Sequence, residues 1–465
     1  MRRHRPLTLL ILLALLAAAC QPSGPVRLPT ASPGASPGRP DPTTGPGEPT
    51  RPTGLPALIT ATVKVKMLRK DDQGRLLHIG SGSGTILTRD GLILTNAHVA
   101  APDAPGLAVQ YGGLGPSQGI DGMVVAMTEA EDRPPVDRYV ASVVAVDGYL
   151  DLAVIRITAT IEGQQVTPAS LDLPTVPIGD SDAIHINEPL TVIGFPGIGG
   201  DTVSADVGTI SGFVDDPKIG TRGWIKTSAV VYHGNSGGLA ANASGQIVGV
   251  PTRIPDFGDA EDVGGFQLVR PINLAKPVID AARSGQEYGP SRFVKPETGQ
   301  EQMRFTGWTD ASGAACGQEG RVTGYGPDTT ALRATFSFAG MTEGLDIATV
   351  WVRGLDTQKP VILSRSSDTW QFGPSGACYA LTLTSRRPLE EGNYSLRIFG
   401  GPSMRLLGAG DVAIGQEQHG PGPGPGPGDR LTGRIVDSDT GLGIAGAVVF
   451  ILQPGTDVDA WRASP

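Results

Sequence analysis

The stretch Tyr232-His233-Gly234-Asn235-Ser236-Gly237-Gly238 decides how the rest of the chain is interpreted. Glycine on both sides of one serine predicts a tight loop, because glycine adopts backbone angles that are closed to other residues. Such a loop exposes the Ser236 hydroxyl and lets backbone N–H groups converge beside it, which are the two requirements of an acyl-transfer nucleophile. The alternative is an ordinary glycine-rich turn. The question is therefore whether the chain also supplies a base and a carboxylate.

A base and a carboxylate are both found upstream of this loop. A serine nucleophile needs a neutral imidazole to accept its proton and a buried carboxylate to orient that imidazole. His98 is the best-placed histidine after the N-terminal apolar segment because it ends a predicted strand. The other histidines of that part lie in turn-like stretches, in a linker or too close to Ser236: His78, His185, His233 and His419. Asp151 begins an apolar run, which places its carboxylate at the edge of a core. The predicted order is His98, Asp151, Ser236.

The chain around these residues predicts an all-β domain over residues 57–290. Short strands recur with turns between them, and no strong helix separates them, which is typical of a barrel or sandwich. The series begins with an alternating strand at 60–66, and Asp90-Gly91 predicts a hairpin. Residues 272–283 are the exception, because their apolar side chains have helical spacing and predict a closing helix. Residues 101–138 form a long insert without an assigned role.

Three motifs in this order resemble a known family. Thr95-Asn96-Ala97-His98-Val99, Asp151-Leu152-Ala153-Val154-Ile155 and Gly234-Asn235-Ser236-Gly237-Gly238 resemble the His, Asp and Ser motifs of the trypsin-like serine endopeptidases, nearest the HtrA/Deg type. The resemblance covers about 230 of the 465 residues. It implies two six-stranded antiparallel β-barrels with the site in the cleft between them.

The resemblance also implies a role for each site residue. His98 would act as general base, Asp151 would orient it, and Ser236 would attack the peptide carbonyl through an acyl-enzyme intermediate. The backbone N–H groups of Gly234 and Ser236 would form the oxyanion hole. No metal or cofactor is needed for this chemistry.

Two further positions bear on activation and specificity. Asn235 stands where digestive members of the family carry an aspartate that pairs with a newly cut N-terminus, and an amide cannot make that ion pair. Val230 stands where the trypsin pattern places the acidic floor of the S1 pocket, and Phe266 is a second candidate for lining it. We therefore expect no activation by N-terminal cleavage, and cleavage after small or aliphatic residues.

The N-terminus predicts export and a tether. Arginines at the start and an apolar run to Ala19 are typical of a signal peptide over residues 1–20. Leu16-Ala17-Ala18-Ala19-Cys20 resembles a bacterial lipobox, which implies lipidation of Cys20 and attachment to the extracytoplasmic face of the cell membrane. The alternative is a plain secretory signal with an incidental cysteine. Residues 21–56 are rich in proline and predict a disordered linker.

A second domain is predicted at residues 301–415. Runs of β-branched and aromatic residues with turns between them favour an immunoglobulin-like β-sandwich. Cys316 and Cys378 are the cysteines that remain beside Cys20, and an exported chain would be expected to pair them, although two free buried thiols are the alternative. No PDZ domain of the kind that HtrA-type proteases usually carry is recognised here. A binding or spacer module, with a possible surface ligand, is the predicted role.

The remaining segment is a linker and an incomplete module. Residues 416–430 contain a Pro-Gly repeat, and residues 431–465 resemble the start of a carboxypeptidase-regulatory-like β-sandwich that is truncated at Pro465. Either the sequence is a fragment of a longer chain, which is the favoured interpretation, or the tail is not an independent fold.

Composition narrows the function classes. The 66 glycines and 40 prolines favour β structure with many turns and linkers, and a net charge of −9 without an internal basic run argues against a nucleic-acid partner. The favoured function is an extracytoplasmic serine endopeptidase acting on proteins or peptides. The alternatives are a catalytically inactive surface binding protein on a protease fold, and a cell-wall adhesin, which would explain residues 301–465 but not 57–290.

Overall fold

The structure is a computed structural model that describes residues 54–415 apart from 113–117, 198–200, 254–266, 311–315, 317–319, 356 and 358–359. The predicted signal peptide with Cys20, residues 21–53 of the predicted linker, Phe266, and the predicted segments 416–430 and 431–465 lie outside the described residues. The prediction that the disordered linker extends to residue 56 was wrong at its end, because a helix begins at Leu55. Within them the chain is built mostly of strands, as the sequence predicted.

The first six strands close into a barrel. They are β1 (Thr62–Lys70), β2 (Leu76–Ile86), β3 (Leu92–Thr95), β4 (Gly122–Met127), β5 (Val136–Asp147) and β6 (Leu152–Thr160). Their order around the barrel is β1-β2-β3-β6-β5-β4, and all the pairings are antiparallel. The predicted hairpin at Asp90-Gly91 is confirmed, since Gly91 has a φ of 94° and joins β2 to β3.

The next six strands close into a second barrel. They are β7 (Pro189–Gly194), β8 (Ser204–Asp216), β9 (Gly220–Thr227), β10 (Leu239–Asn242), β11 (Ile247–Arg253) and β12 (Gln267–Pro271). Their order is β10-β11-β12-β9-β8-β7, again antiparallel throughout. Two closed six-stranded barrels are the architecture that the three motifs implied, and that prediction is confirmed.

Four short helices and one 3₁₀ turn accompany the barrels. They are α1 (Leu55–Thr60), α2 (Ala97–Ala100), α3 (Leu107–Tyr111), α4 (Ile272–Ser284) and the 3₁₀ turn Pro168–Ser170. The closing helix is confirmed as α4, whose buried face includes Ala275, Val278 and Ile279 and packs on a core shared with both barrels. Burying a Val or Ile side chain contributes about 1.5–3 kcal/mol, so this face anchors the helix.

Two details of the strand predictions were wrong. Thr60 lies in α1 and not in the first strand, which begins at Thr62. That strand also does not alternate at its start, because Thr62, Val63, Lys64 and Val65 are all buried. The reason is that β1 also lies against β7 of the second barrel, so the Lys64 amine is enclosed and pairs with Asp201.

A pair of four-stranded sheets follows the barrels. The strands are β13 (Gln302–Thr309), β14 (Arg321–Val322), β15 (Ala331–Ala339), β16 (Asp346–Arg353), β17 (Val361–Thr369), β18 (Gly376–Thr384), β19 (Gly392–Gly400) and β20 (Arg405–Ile414). One sheet has the order β14-β13-β15-β18 and the other β17-β16-β19-β20. They enclose one core that contains Trp308, Phe336, Trp351 and Trp370. We call residues 302–414 the β-sandwich.

Candidate active site

His98 lies in α2, directly after β3 ends at Thr95. The prediction that His98 ends a strand was therefore wrong, because a short helix follows the strand and carries this residue. Its backbone N–H donates to Asp151 Oδ1 at 2.8 Å, and its ring Nδ1 lies 2.7 Å from Asp151 Oδ2. A carboxylate only accepts hydrogen bonds, so Nδ1 carries the proton in the neutral ring. The lone pair is then on Nε2, the nitrogen that faces away from Asp151.

Asp151 sits in a tight turn between β5 and β6 with its side chain fully buried. Its φ is 55°, a left-handed conformation that aspartate tolerates better than most residues. The turn is fastened by Asp151 N, which donates to the Gly148 carbonyl at 3.1 Å, and by Leu150 N, which donates to Asp147 Oδ1 at 3.0 Å. The conformation aims both carboxylate oxygens of Asp151 at α2.

The surroundings of His98 set its protonation. Burial of the ring lowers its pKa, but the charge of Asp151 and the hydrogen bond to it more than offset that effect. The net result is a pKa of His98 above the ordinary value of 6.5. The Asp151 carboxylate therefore stabilises an imidazolium, which is the form that a base reaches after it takes a proton.

The loop that carries Ser236 is clamped against β2 and the end of β3. Gly237 has a φ of 84°, and a Cβ there would lie 2.3 Å from both the Ser83 carbonyl and Thr95 Oγ1. Gly234 has a φ of 101°, and a Cβ there would lie 2.3 Å from the Phe195 carbonyl. Only glycine fits either position. Ser83 completes the clamp, since its N–H donates to the Ser236 carbonyl at 2.8 Å.

These contacts place the Ser236 loop beside the segments that carry His98 and Asp151. Gly237 packs against Asn96 N, two residues before His98, so the Ser236 loop adjoins α2. Asn96 also binds the third element, because its Nδ2 donates to the Asp151 carbonyl at 2.6 Å and to Thr252 Oγ1 at 3.0 Å. The segments that carry the three residues, β3–α2, the β5–β6 turn and the loop before β10, therefore adjoin one another. His98 and Asp151 are hydrogen-bonded, whereas among the described residues no hydrogen bond joins Ser236 Oγ to His98.

Some backbone N–H groups of the Ser236 loop make no hydrogen bond within the described residues. Three N–H groups already have acceptors: Asn235 N donates to the Tyr232 carbonyl, Gly237 N to that of Pro251 and Gly238 N to that of Asn235. Within the described part of the chain, the N–H groups of Gly234 and Ser236 have no hydrogen-bond acceptor. They are the two donors that the motif assigned to an oxyanion hole.

The remaining predicted site residues are Val230 and Phe266 of the predicted S1 pocket and the cysteines Cys316 and Cys378. Val230 is half-buried beside this loop, and its N–H donates to Asp206 Oδ1 at 2.8 Å, while Phe266 is not described. Cys316 and Cys378 are disulfide-bonded with their Cα atoms 5.7 Å apart. Among the described residues, no group of three or more His, Cys, Asp or Glu side chains is arranged to hold a metal ion.

Sequence reasoning missed two residues near Asp151. Tyr111, at the end of α3, donates its hydroxyl to Asp151 Oδ2. Arg270 of β12 is fully buried and donates to the Leu150 carbonyl at 2.9 Å. A charged residue within an apolar strand was a usable signal for Arg270. No signal marked Tyr111, because the insert at 101–138 has no pattern that predicts what it contacts.

Part of the chain is similar to known peptidases. Residues 82–250 match the family model described as the trypsin-like peptidase domain. The serine endoproteases DegS of Salmonella typhimurium and of Escherichia coli K12 are each 30% identical to this chain over 200 residues, which is 43% of this chain and 47% of theirs. A probable periplasmic serine endoprotease of the DegP-like type from Marinomonas is 31% identical over 204 residues, 44% of this chain and 35% of its own.

These matches have a defined extent. The chain spans less than half the length of these curated relatives, and the matched part carries His98, Asp151 and Ser236. An HtrA-type protease, AlgW, determined with a tripeptide, has a TM-score of 0.36 and 24% identity to this chain, covering 50% of this chain and 63% of its own.

Among the helices described, none is long and apolar enough to cross a bilayer.

Proposed function

We propose that this protein is a serine endopeptidase, on the premise that residues 82–250 are a trypsin-like peptidase domain homologous to the DegS and DegP proteases of the HtrA type. The observation that carries the proposal is the 2.7 Å contact between His98 Nδ1 and Asp151 Oδ2, beside a loop whose only serine is Ser236. The substrates are proteins or peptides.

The proposed reaction follows from the proton positions. His98 Nε2 accepts the proton of the Ser236 hydroxyl as its oxygen bonds to the peptide carbonyl carbon. The tetrahedral intermediate collapses when the C–N bond breaks and the leaving amine takes the proton from His98. Water then repeats both steps on the acyl-enzyme, which releases the acid and restores Ser236. Asp151 keeps Nδ1 protonated throughout and stabilises the imidazolium.

The oxyanion is stabilised by the backbone of the same loop. The N–H groups of Gly234 and Ser236 point to no acceptor within the described residues, so they are available to a developing negative charge. Removing one donor of this kind raises the barrier by about 3 kcal/mol in serine proteases. Because glycine is required at 234 by the close Phe195 carbonyl, the donor position is fixed by the fold.

Specificity and activation are proposed from two residues. An apolar Val230 at the floor of the S1 pocket would not pair with Arg or Lys, which favours small or aliphatic P1 residues. Asn235 is buried and uncharged, so the proposed enzyme does not depend on an ion pair with a new N-terminus. Phe266 remains a proposed second wall of the pocket.

The location and organisation are also proposals. A lipidated Cys20 after a signal peptide at 1–20, with a linker at 21–56, would tether the protease domain of 57–290 to the extracytoplasmic face of the membrane. The periplasmic DegP-like relative supports that side of the membrane. We further propose that the β-sandwich is a module for placement or binding, with a disulfide between Cys316 and Cys378.

The test is covalent labelling of the full chain with a fluorophosphonate probe. We expect the wild type to be labelled, and Ser236→Ala and His98→Ala to lose labelling while they keep the fold, which circular dichroism would check. Ser244→Ala, which removes a hydroxyl from an exposed turn of the same barrel, is the matched control and should label normally.

Two results would contradict the proposal. One is labelling that persists in Ser236→Ala, because the reactive serine would then lie elsewhere. The other is a folded wild type that neither labels nor cleaves peptides, which would favour a binding protein on a protease fold.

A further inference from the structure

The insert between β3 and β4 supplies a third contact to the Asp151 carboxylate. The hydroxyl of Tyr111 donates to Asp151 Oδ2, the same oxygen that faces His98 Nδ1. The Tyr111 ring also lies edge-on to the His98 ring, with 6.1 Å between the centroids. Both carboxylate oxygens are therefore occupied, Oδ1 by the His98 N–H and Oδ2 by His98 and Tyr111.

We propose that Tyr111 is a positioning residue for Asp151, and that the β-sandwich holds α3 in the place where Tyr111 makes this contact. The catalytic consequence rests on the proposed function given above. The second domain would then be part of the apparatus that aligns the protease site, beyond any role in binding.

Helix α3 needs outside support to hold Tyr111. It has five residues, and isolated helices shorter than about 12 residues are marginal in water. It starts after Gly106, with a φ of 96°, and stops before Gly112, with a φ of 60°, so neither end continues into regular structure. Its position therefore depends on tertiary contacts, which are the burial of Leu107 against Ala97 and Ala104 and the contacts at its two ends.

The β-sandwich contacts both ends. Gly106 N donates to the Pro402 carbonyl at 2.9 Å. At the other end, the guanidinium of Arg365 packs directly on Gly112, where an added Cβ would lie 2.9 Å from Arg365 Nη2. Between these contacts α3 and β17 line a common open cleft of about 360 Å³. Both ends of α3 are thus held by the β-sandwich.

The turn that carries Asp151 is connected to the β-sandwich by a second route. Asp346 of β16 pairs with Lys218 at 2.5 Å, and Lys218 N donates to Asp216 Oδ1 at 3.0 Å. The same Asp216 oxygen accepts the hydroxyl of Tyr149 at 2.8 Å, two residues before Asp151. Asp346 is buried, so this ion pair is shielded from water and the contact is specific.

Removing the Tyr111 hydroxyl has a predictable electrostatic effect. The charged and titratable groups around Asp151 include His98 and Tyr111, the buried Arg270 behind the turn, and Asp147 and Tyr149 within the turn itself. A hydroxyl donor on Oδ2 draws negative charge away from the oxygen that faces His98. Without it the carboxylate attracts the His98 proton more strongly, so the pKa of His98 rises further.

The experiment compares Tyr111→Phe, Arg365→Ala and the double variant on the full chain. The readouts are the rate of fluorophosphonate labelling as a function of pH and the ¹H NMR titration of His98, assigned with His98→Gln. We expect Tyr111→Phe to slow labelling about tenfold and to raise the titration midpoint of His98 by about half a unit. Arg365→Ala should shift both readouts in the same direction by a smaller amount.

The double variant tests whether Arg365 acts through Tyr111. We expect it to be no slower than Tyr111→Phe alone, because the Arg365 contact matters only while Tyr111 has a hydroxyl to place. Two control variants remove the same chemical groups at other positions. Tyr139→Phe removes a phenol hydroxyl on β5, and Arg386→Ala removes a guanidinium in the loop between β18 and β19. Both should match the wild type in labelling rate and in the His98 titration.

Failure of this inference differs from failure of the proposed function. Normal labelling and an unchanged His98 titration in Tyr111→Phe would overturn the inference while the protease assignment stands. Additive losses in the double variant would overturn the part of it that concerns the β-sandwich. Absence of labelling in the wild type would contradict the protease proposal, and the His98 titration would then decide the inference alone.

Discussion

At the scale of single residues, the site depends on one carboxylate held from several sides. Asp151 accepts two hydrogen bonds from His98 and one from Tyr111, and its own turn is tied to Asp147. A buried carboxylate without partners would be costly, and hydrogen bonds to charged groups are each worth about 1.5–3 kcal/mol. The same contacts that fix the Asp151 carboxylate in place therefore orient the His98 ring.

The raised pKa of His98 predicts a pH dependence. The base works only when neutral, so the acid limb of the kcat/KM profile should lie above pH 6.5 and activity should fall as the pH drops through it. The free energy of unfolding changes with pH in the opposite direction. The protonated ring stabilises the fold, an effect fully present below the unfolded value of about 6.5 and lost as the pH rises through the raised pKa.

The measurement is a kcat/KM profile on a peptide substrate, with Asp151→Asn as the matched variant. Removing the charge of Asp151 should lower the His98 titration midpoint below that of the wild type, and turnover should fall by about 10⁴ because the tautomer is no longer fixed. A wild-type acid limb at or below pH 6.5 would show that burial, not Asp151, dominates the environment of His98.

At the scale of elements, strand β12 places the charged side chain of Arg270 in the core. Arg270 is fully buried, stacks on Trp224 with 3.4 Å from the guanidinium carbon to the ring centroid, and donates to the carbonyls of Leu150 and Gly223. Its nearest carboxylate is the buried Asp216, at 3.7 Å. Burial lowers the pKa of Arg270 to about 10, and the Asp216 charge opposes that shift. The strand therefore links the Asp151 turn to β8 and β9.

Arg270→Leu should destabilise the protein by about 3–5 kcal/mol, because it leaves Asp216 buried without its counter-charge and two carbonyls without donors. Urea unfolding would measure the loss. Arg133→Leu, at an exposed position, is the control and should change the free energy of unfolding by less than about 0.5 kcal/mol.

A double variant separates charge from packing. If the buried pair is the cause, Arg270→Leu combined with Asp216→Asn should lose less than the sum of the two single changes. Strict additivity would mean that the two side chains stabilise the fold independently.

At the scale of the whole molecule, polar contacts join the two barrels to the β-sandwich within the described part of the chain. Lys218 pairs with Asp346, and Gly106 binds the Pro402 carbonyl. Inside the β-sandwich, the tryptophan-rich core is closed by the disulfide between Cys316 and Cys378. The disulfide joins β18 to the segment between β13 and β14, whereas Arg365 and Pro402, which contact α3, belong to the other sheet.

The disulfide should contribute to the stability of the β-sandwich. It joins residues 62 apart in the sequence, a loop that the chain-entropy description equates with roughly 4 kcal/mol. The double variant Cys316→Ser/Cys378→Ser should lower the urea midpoint of the β-sandwich, followed by tryptophan fluorescence from its core. The wild type in reductant should reproduce that shift, and an unchanged midpoint in reductant would contradict the prediction.

Many features of the fold and of the candidate site could be predicted from the local sequence. The three motifs marked His98, Asp151 and Ser236. The strand and turn signals predicted a barrel or sandwich, the closing helix and the sheets beyond, and the resemblance to the trypsin-like endopeptidases implied that the first domain has two barrels. These features are readable because each depends on neighbours in the chain. Glycines at 234 and 237 are required by their own backbone angles, and the face of α4 follows from apolar residues three and four apart.

What the tertiary structure alone decided is which distant segments meet. Tyr111 contacts Asp151 because α3 is held by Arg365 and Pro402, which lie more than 250 residues further along the chain. Arg270 is buried because β8, β9 and the Asp151 turn enclose it, and Lys64 is buried because the second barrel covers β1. No local pattern encodes such contacts, since their free energy depends on the closed barrels and on where the β-sandwich packs against them.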